Sequence, residues 1–242
     1  MLWGDITAAK VFAYDDPMNP EIISQHLSTL NFELPEAAAE KFGQLITLLA
    51  KWNKAYNLTA VRDINEMVVL HLLDSLVPLR FVEGTQVLDV GTGAGFPGLP
   101  MAIARPDWQF TLLDSNAKKT RFVTQAVIEL GLKNVTVVTG RAENSAINQE
   151  FNTVMCRATF ALADFLAKTY GRCVNKGLFL ALKGSYPKQE IDDISYSAEL
   201  PDRFLGLNKD LATKINIEKV EPIIVPGLDA ERHLVLVRKN EN

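Results

Sequence analysis

The chain has 242 residues, 48% of them hydrophobic and 22% charged, with a formal net charge of −4. That is the composition of a soluble globular protein of one large domain, or of one domain with a small appendage. The net acidity excludes a protein that coats nucleic acid indiscriminately, so any nucleic-acid contact must come from a local basic patch. Cys156 and Cys173, the two cysteines, lack metal-ligand spacing. No apolar run reaches membrane-spanning length and no basic segment with an apolar core opens the chain. A reduced, cytoplasmic protein with no membrane partner is expected.

In chain order, residues 1–20 hold prolines and aspartates without a clear period and read as an extension. Residues 21–83 read as a helical subdomain. Leu45, Leu48, Leu49, Trp52 and Tyr56 recur three or four apart. In "DINEMVVLHLLDSL", Asp63 takes the N-cap position with Glu66 at capping-box spacing. From residue 84 to 242 the pattern changes. "QVLDVG" reads as a strand and "GLPMAIA" as a helix. "QFTLLD" is a strand, and "NAKKTRFVTQAVIELG" a helix closed by Gly131 in the C′ role. "NVTVVTG" and "NTVMCRA" are strands, "LADFLAKTYGRCV" a helix and "GLFLALKG" a strand. "KINIEKVEPIIV" and "RHLVLVRK" form a closing antiparallel pair. Strands alternating with helices predict an α/β fold, a mostly parallel Rossmann-like sheet covered on both faces.

The stretch "DVGTGAGFPG" falls between the first strand and its helix, where ligands meet a doubly wound sheet. Its glycines, Gly91, Gly93 and Gly95, do not follow the dinucleotide fingerprint. A G-x-G-x-x-G does run from Gly93 through Gly95 to Gly98, but Pro97 inside it removes a donor that a pyrophosphate would use. The Gly-Lys-Ser/Thr of a P-loop is missing. An acid before the glycines suits a ligand carrying an ammonium group, and Asp89 stands there. Asp114 ends the second strand, where a carboxylate can accept both ribose hydroxyls. "GRAE" follows the third strand and puts Ala142 and Glu143 where an adenine would lie. This set favours S-adenosylmethionine over a nicotinamide cofactor.

The fourth strand ends in "MCRATF". The Asp/Asn-Pro-Pro-aromatic motif of amino-directed nucleobase methyltransferases is not there. Cys156 reads as a small apolar filler rather than a nucleophile. Arg157 can bond a base edge bidentately, and guanine O6 and N7 is a common partner. Methylation at N7 needs no general base, because the lone pair is already exposed. Alignment with the methyl would supply most of the effect. His26, His71 and His233 lie outside these motifs. No metal is needed.

Seven motifs occur in order: "AKWNKAYNLTAVRD" (50–63), "HLLDS" (71–75), "DVGTGAGFPG" (89–98), "LLDSNAKKTRF" (112–122), "CRA" (156–158), "ALKG" (181–184) and "ERHLV" (231–235). Together they make the chain resemble the ribosomal RNA small subunit methyltransferase G family, over about residues 40–238. The resemblance implies a class I S-adenosylmethionine-dependent methyltransferase with an N-terminal helical cap. It implies N7-methylation of one guanine in the decoding region of bacterial 16S rRNA. The family's donor positions fall on Gly91, Phe96, the Ala142–Glu143 pair and Arg157, and its fingerprint also covers Asp89, Gly93, Gly95 and Asp114. Two departures stand out: residues 1–20 have no clear counterpart, and Cys156 replaces a common serine.

Lys118, Lys119 and Arg121 open the helix after Asp114, Lys51, Lys54 and Arg62 lie on the cap, and Lys183 ends the fifth strand. They are expected to form an RNA-facing rim whose phosphate contacts position rather than specify. His71 and Asp74, three apart on one helix face, read as structural or as lining the mouth of the site. Trp52 and Tyr56 read as core. The expected partner is 16S rRNA, in the small subunit or an assembly intermediate. A monomer is expected, since nothing demands a dimer.

Overall fold

A computed structural model describes residues 19–30, 33–144, 147–157, 160–199 and 209–241. The extension therefore falls outside the described residues, except for its last two. Asn19 caps the first helix, α1 (Pro20–Ser28), by accepting from the Glu21 amide, and Pro20 opens it.

Seven strands, β1 (Gln86–Val90), β2 (Gln109–Asp114), β3 (Val135–Thr139), β4 (Phe151–Arg157), β5 (Cys173–Lys183), β6 (Ile215–Pro222) and β7 (His233–Lys239), form one sheet. Their order is β3-β2-β1-β4-β5-β7-β6. β1 to β5 pair in parallel, while β7 runs antiparallel to both β5 and β6. The final pair is antiparallel, as the sequence predicts, but the later strand lies inside and the earlier one forms the edge. Arg238 on β7 anchors it with a guanidinium fork to Glu218 on β6 and Glu83 ahead of β1.

The parallel strands are apolar on both faces because both are covered. On one face lie α2 (Ala38–Tyr56), the segment from α3 (Ile64–Met67) to α4 (Asp74–Leu76), α5 (Gly98–Ala104) and α6 (Ala117–Glu129). Val87, Phe110, Leu112, Met155, Leu180 and Leu234 share a continuous core with Phe42, Leu49, Leu72 and Phe122 of these helices. α7 (Leu162–Thr169), α8 (Lys188–Glu199) and α9 (Lys209–Thr213) cover the other face, over Val154, Cys156, Phe179 and Val235. Neither α8 nor α9 is foreseen from the sequence. Among the described residues no helix is long and apolar enough to cross a membrane.

Three local features shape the cap. α2 ends at Asn57, whose left-handed backbone (φ +50°) suits an asparagine C-cap. Buried Asn53 then pins the returning loop, donating to the Val61 carbonyl and accepting from the Thr59 amide. Asp63 caps α3 through the Glu66 amide, as expected. Residues Val68–Leu73 are π-helical rather than α-helical, a departure with a use at the site, because wide turns leave carbonyls off the regular ladder. Gly131 ends α6 with φ +61°, and the Leu132 amide reaches back to Val127.

Candidate active site

The glycine loop is held from two sides. Gly91, Gly93 and Gly95 have φ of +70°, +62° and +88°, a region where a side chain would be strained. The amides of Gly91 and Thr92 donate to the Leu113 carbonyl at 2.8 and 3.0 Å, which ties the loop to the end of β2. Asp114 accepts from Gly93 N at 2.8 Å with one oxygen and from Asn116 N at 2.7 Å with the other. From beneath, Asp89 Oδ2 accepts from Thr92 Oγ1 at 2.7 Å and from Gly98 N at 2.9 Å. Gly95 and Gly98 are packing positions: a Cβ there would fall 2.3 Å from Leu99 Cδ1 and 2.1 Å from Leu112 Cδ2 respectively. Gly93 is different, since its Cβ would meet only Lys119 Nζ, at 3.8 Å.

Two cavities open at the carboxyl ends of the strands. The first is lined by Gly91, Asp114, Ala142 and Glu143, together with Phe160 and Lys168. The structure thus brings together four of the sequence-predicted donor positions in one cleft. Phe160 and Lys168 are missed from the sequence; the aromatic residue closing "MCRATF" is the signal that was available. Lys168 Nζ stands 5.2 Å from the Phe160 ring centroid.

Asp89, Gly93, Gly95 and Phe96 do not line this cleft; Asp89 braces the glycine loop from beneath. Asp89 is fully buried, and its Oδ1 has no hydrogen-bond partner among the described residues. Burial pushes its carboxyl up to about 6, against smaller opposing effects from Thr92 and Gly98. Phe96 is buried and stacks on His71 at 5.0 Å between centroids.

Arg157 lines the second cavity with His71, Asp74, Lys183 and Arg232. Its Nη1 donates to the Leu70 carbonyl in the π-helical turn at 3.2 Å and contacts Asp74 Oδ2 at 3.5 Å. Its guanidinium carbon lies 6.0 Å from the Phe96 ring, so Arg157 stands between the glycine loop and this chamber. His71 Nε2 pairs with Thr59 Oγ1 at 2.9 Å. Burial first, and Arg157 second, bring its pKa down to about 4, so it is neutral near pH 7. His71 and Asp74 are both buried and line this second cavity. Cys156 is buried on the opposite face of β4 from Arg157, and burial raises its thiol far above the usual range, which leaves it inert.

Two expectations need correction. Lys183 is not an exposed rim lysine: its side chain is 11% exposed, and its Nζ pairs with Glu190 at 2.8 Å and donates to the Phe160 carbonyl at 3.0 Å. At the carboxyl end of β5 the lysine meets Glu190 of α8 and the Phe160 carbonyl before it meets solvent. Tyr56 is not core: it is 47% exposed at the end of α2, although Trp52 beside it packs against Phe122. Lys118 and Arg121 are exposed and Lys119 is partly so, on the helix that follows Asp114.

The residues fit an S-adenosylmethionine donor. Asp89 Oδ1 is a buried acceptor lacking a partner, suited to an ammonium. The Asp114 carboxylate borders the cleft with acceptor capacity beyond its two loop bonds. A sheet of this order, with an acid, a glycine loop and a second acid at the ends of its first two strands, has the class I methyltransferase architecture. Solved structures agree on the fold. A SAM-dependent methyltransferase from Aquifex aeolicus covers 72% of this chain and 93% of its own, with a TM-score of 0.50 at 18% identity. The glycopeptide N-methyltransferase MtfA, complexed with S-adenosyl-L-homocysteine, covers 71% and 87%, with a TM-score of 0.53 at 13% identity.

The family model for GidB, rRNA small subunit methyltransferase G, matches residues 38–202. Ribosomal RNA small subunit methyltransferase G of Neisseria meningitidis is 45% identical over 214 residues, covering 88% of this chain and 95% of its relative. That of Marinobacter nauticus is 43% identical over 225 residues, covering 93% and 97%. The chain belongs to the rRNA small subunit methyltransferase G family.

Proposed function

We propose that this protein transfers the methyl group of S-adenosylmethionine to N7 of one guanine in the decoding region of bacterial 16S rRNA, acting in the cytoplasm as a monomer. The observation that carries the reading is the family match over residues 38–202, which spans both cavities' principal residues up to Lys183. That membership supports the substrate and the compartment. The donor cleft and the chamber beyond Arg157 give the geometry that such a transfer uses.

When bound, the donor supplies an electrophilic methyl carbon, and its sulfur keeps the electron pair of the breaking bond as N7 contributes its lone pair. The protein's task is then positioning. Asp114 would hold the ribose hydroxyls, the Ala142–Glu143 turn would flank the adenine, and the buried Asp89 Oδ1 beneath the loop would attract the ammonium. Arg157 stands between donor and acceptor. A guanidinium donating to N7 would occupy the lone pair that must attack, so the productive contact on that edge is with O6 alone. No proton leaves N7, and neutral His71 has no acid–base role to fill.

The test is nucleoside mass spectrometry of 16S rRNA from cells lacking the protein, followed by addition of purified protein and donor. One 7-methylguanosine is expected to disappear and to return. An unchanged profile refutes the assignment.

Two further outcomes are expected. Donor affinity should be flat above pH 7 and fall about tenfold per pH unit below about 6, as the Asp89 carboxyl gains a proton and loses its attraction for the ammonium. The sign is opposite for stability without donor: a raised carboxyl pKa lowers stability as pH rises from the unfolded value towards 6. Calorimetric titration across pH 5–8 checks the first effect, and Asp89→Asn should flatten it. Replacing Lys118, Lys119 and Arg121 together by alanine should raise KM for the RNA substrate and reduce the salt slope of binding by up to about three. Methylation with unchanged KM and salt slope would remove this rim from the RNA contact.

A further inference from the structure

The chamber beyond Arg157 has its own construction. Val61, Leu70, Leu182 and Ile223 give it apolar walls, and two of its cationic side chains, Arg157 and Arg232, converge on Asp74. Asp74 is 4% exposed and lies between two guanidiniums. Its Oδ1 accepts from Arg232 Nε at 3.0 Å, and its Oδ2 faces Arg157 Nη1 at 3.5 Å. Arg232 is tied a second time, because its Nη1 donates to the Glu231 carbonyl at 2.9 Å. Its Nη2 has no hydrogen-bond partner among the described residues. A guanidinium is planar, so two fixed nitrogens fix the third. Among the described residues, Arg232 Nη2 is therefore an oriented, uncommitted cationic donor beside these apolar walls. Lys183 adds no further donor of this kind, being held by Glu190, and His71 is held by Thr59.

This is a poor phosphate site, since the walls are apolar and Asp74 offsets one of the two arginine charges. It suits a flat heteroaromatic ring carrying an exocyclic oxygen. The ring faces would lie against Leu70 and Ile223, and the oxygen would meet the donor.

We propose that this chamber receives the base of the target guanine, and that Arg232, held by the positioning residue Asp74, selects it by donating from Nη2 to O6. The inference rests on the reading that the protein methylates guanine N7. O6 and N7 share one edge of the base, so an O6 contact from Arg232 leaves the N7 lone pair for the methyl on the donor side of Arg157. Adenine carries an amino group in place of O6. It would set donor against donor, which discriminates more strongly than a lost contact alone.

The experiment uses the full chain, S-adenosylmethionine and 16S rRNA carrying either guanine or 2-aminopurine at the target, the latter introduced by splinted ligation. 2-Aminopurine keeps N7 and lacks O6. Wild type should lose about 10- to 100-fold in kcat/KM on the analogue. Arg232→Met should show a comparable loss on guanine and under about threefold further loss on the analogue, with donor affinity within about twofold of wild type. Asp74→Asn should shrink the analogue penalty in part. Arg232→Met with wild-type turnover on guanine, or with the full analogue penalty, overturns the proposal. Should Arg232→Met lose donor binding, Arg232→Lys replaces it, because a lysine paired with Asp74 presents no second fixed donor. A full penalty there overturns the proposal equally. Wild type that leaves guanine N7 unmethylated would refute the underlying function and the inference with it. Wild type that methylates while Arg232→Met keeps the full penalty refutes the inference alone.

Discussion

Replacing Asp114 with alanine is expected to weaken donor binding by more than a hundredfold. The carboxylate has two jobs at one point. It fixes the glycine loop through Gly93 N and the start of α6 through Asn116 N, at 2.8 and 2.7 Å. It also borders the cleft, where the two ribose hydroxyls of the proposed donor would meet it. Hydrogen bonds to a charged group contribute roughly 1.5–3 kcal/mol each, so losing two ribose contacts removes about 3–6 kcal/mol of binding. Loosening of the loop adds to this. Asp114→Asn should recover part of the loss, because an amide oxygen can still accept from Gly93. Isothermal titration with the donor or its demethylated product reads the effect. Affinity within tenfold of wild type would take Asp114 out of the donor site.

Arg157→Met is expected to act on the chemical step instead. The side chain touches Leu70, Asp74 and the vicinity of Phe96, at the junction of the two cavities rather than inside the donor cleft. Removing one preorganised donor from a water-poor site costs on the order of 100- to 1000-fold in turnover. Donor affinity should change less than tenfold. Stability should fall by about 1–3 kcal/mol, since the Leu70 carbonyl loses its charged partner while Asp74 keeps Arg232. Arg157→Lys should not restore turnover, because an ammonium that took the place of Nη1 against Leu70 and Asp74 would lack the planar guanidinium and its other nitrogens. Single-turnover rates with saturating donor check the prediction, and near-normal turnover in Arg157→Met would remove its role.

The parts of this molecule written in local sequence could be read from it. Alternating apolar strands and helices fix the layered sheet, and the Asp89-to-Gly98 loop, Asp114 and the Ala142–Glu143 turn are contiguous signatures at strand ends. What escaped depends on residues distant in sequence meeting in space. Arg232 and Asp74 are 158 positions apart, and nothing near either one announces the other. The motif "ERHLV" marks Arg232 only as part of a resemblance. Asp89 carries the signature of a ligand contact, yet burial and the Thr92 and Gly98 bonds make it first a brace for the loop. Lys183 reads as a free cation because its partner, Glu190, lies on α8, a helix that no clear apolar period announces. The π-helical turn at residues 68–73 differs from an α-helix by one hydrogen-bond step, which apolar periodicity does not resolve.

The position of β7 between β5 and β6 has a consequence for synthesis. A ribosome emits β6 before β7, so for a time β5 has an open edge and β6 has no neighbour to pair with. Leu178, Leu180 and Leu182 on β5 face the cap side and Phe179 and Ala181 the other, so the waiting edge is apolar on both sides. The sheet closes only when residues 233–239 slide into the gap, and the same event delivers Arg232 to Asp74. Completion of the fold and completion of the chamber are therefore one step, and an interrupted chain that stops short of β7 is left both sticky and without a strand to hold Arg232 against Asp74.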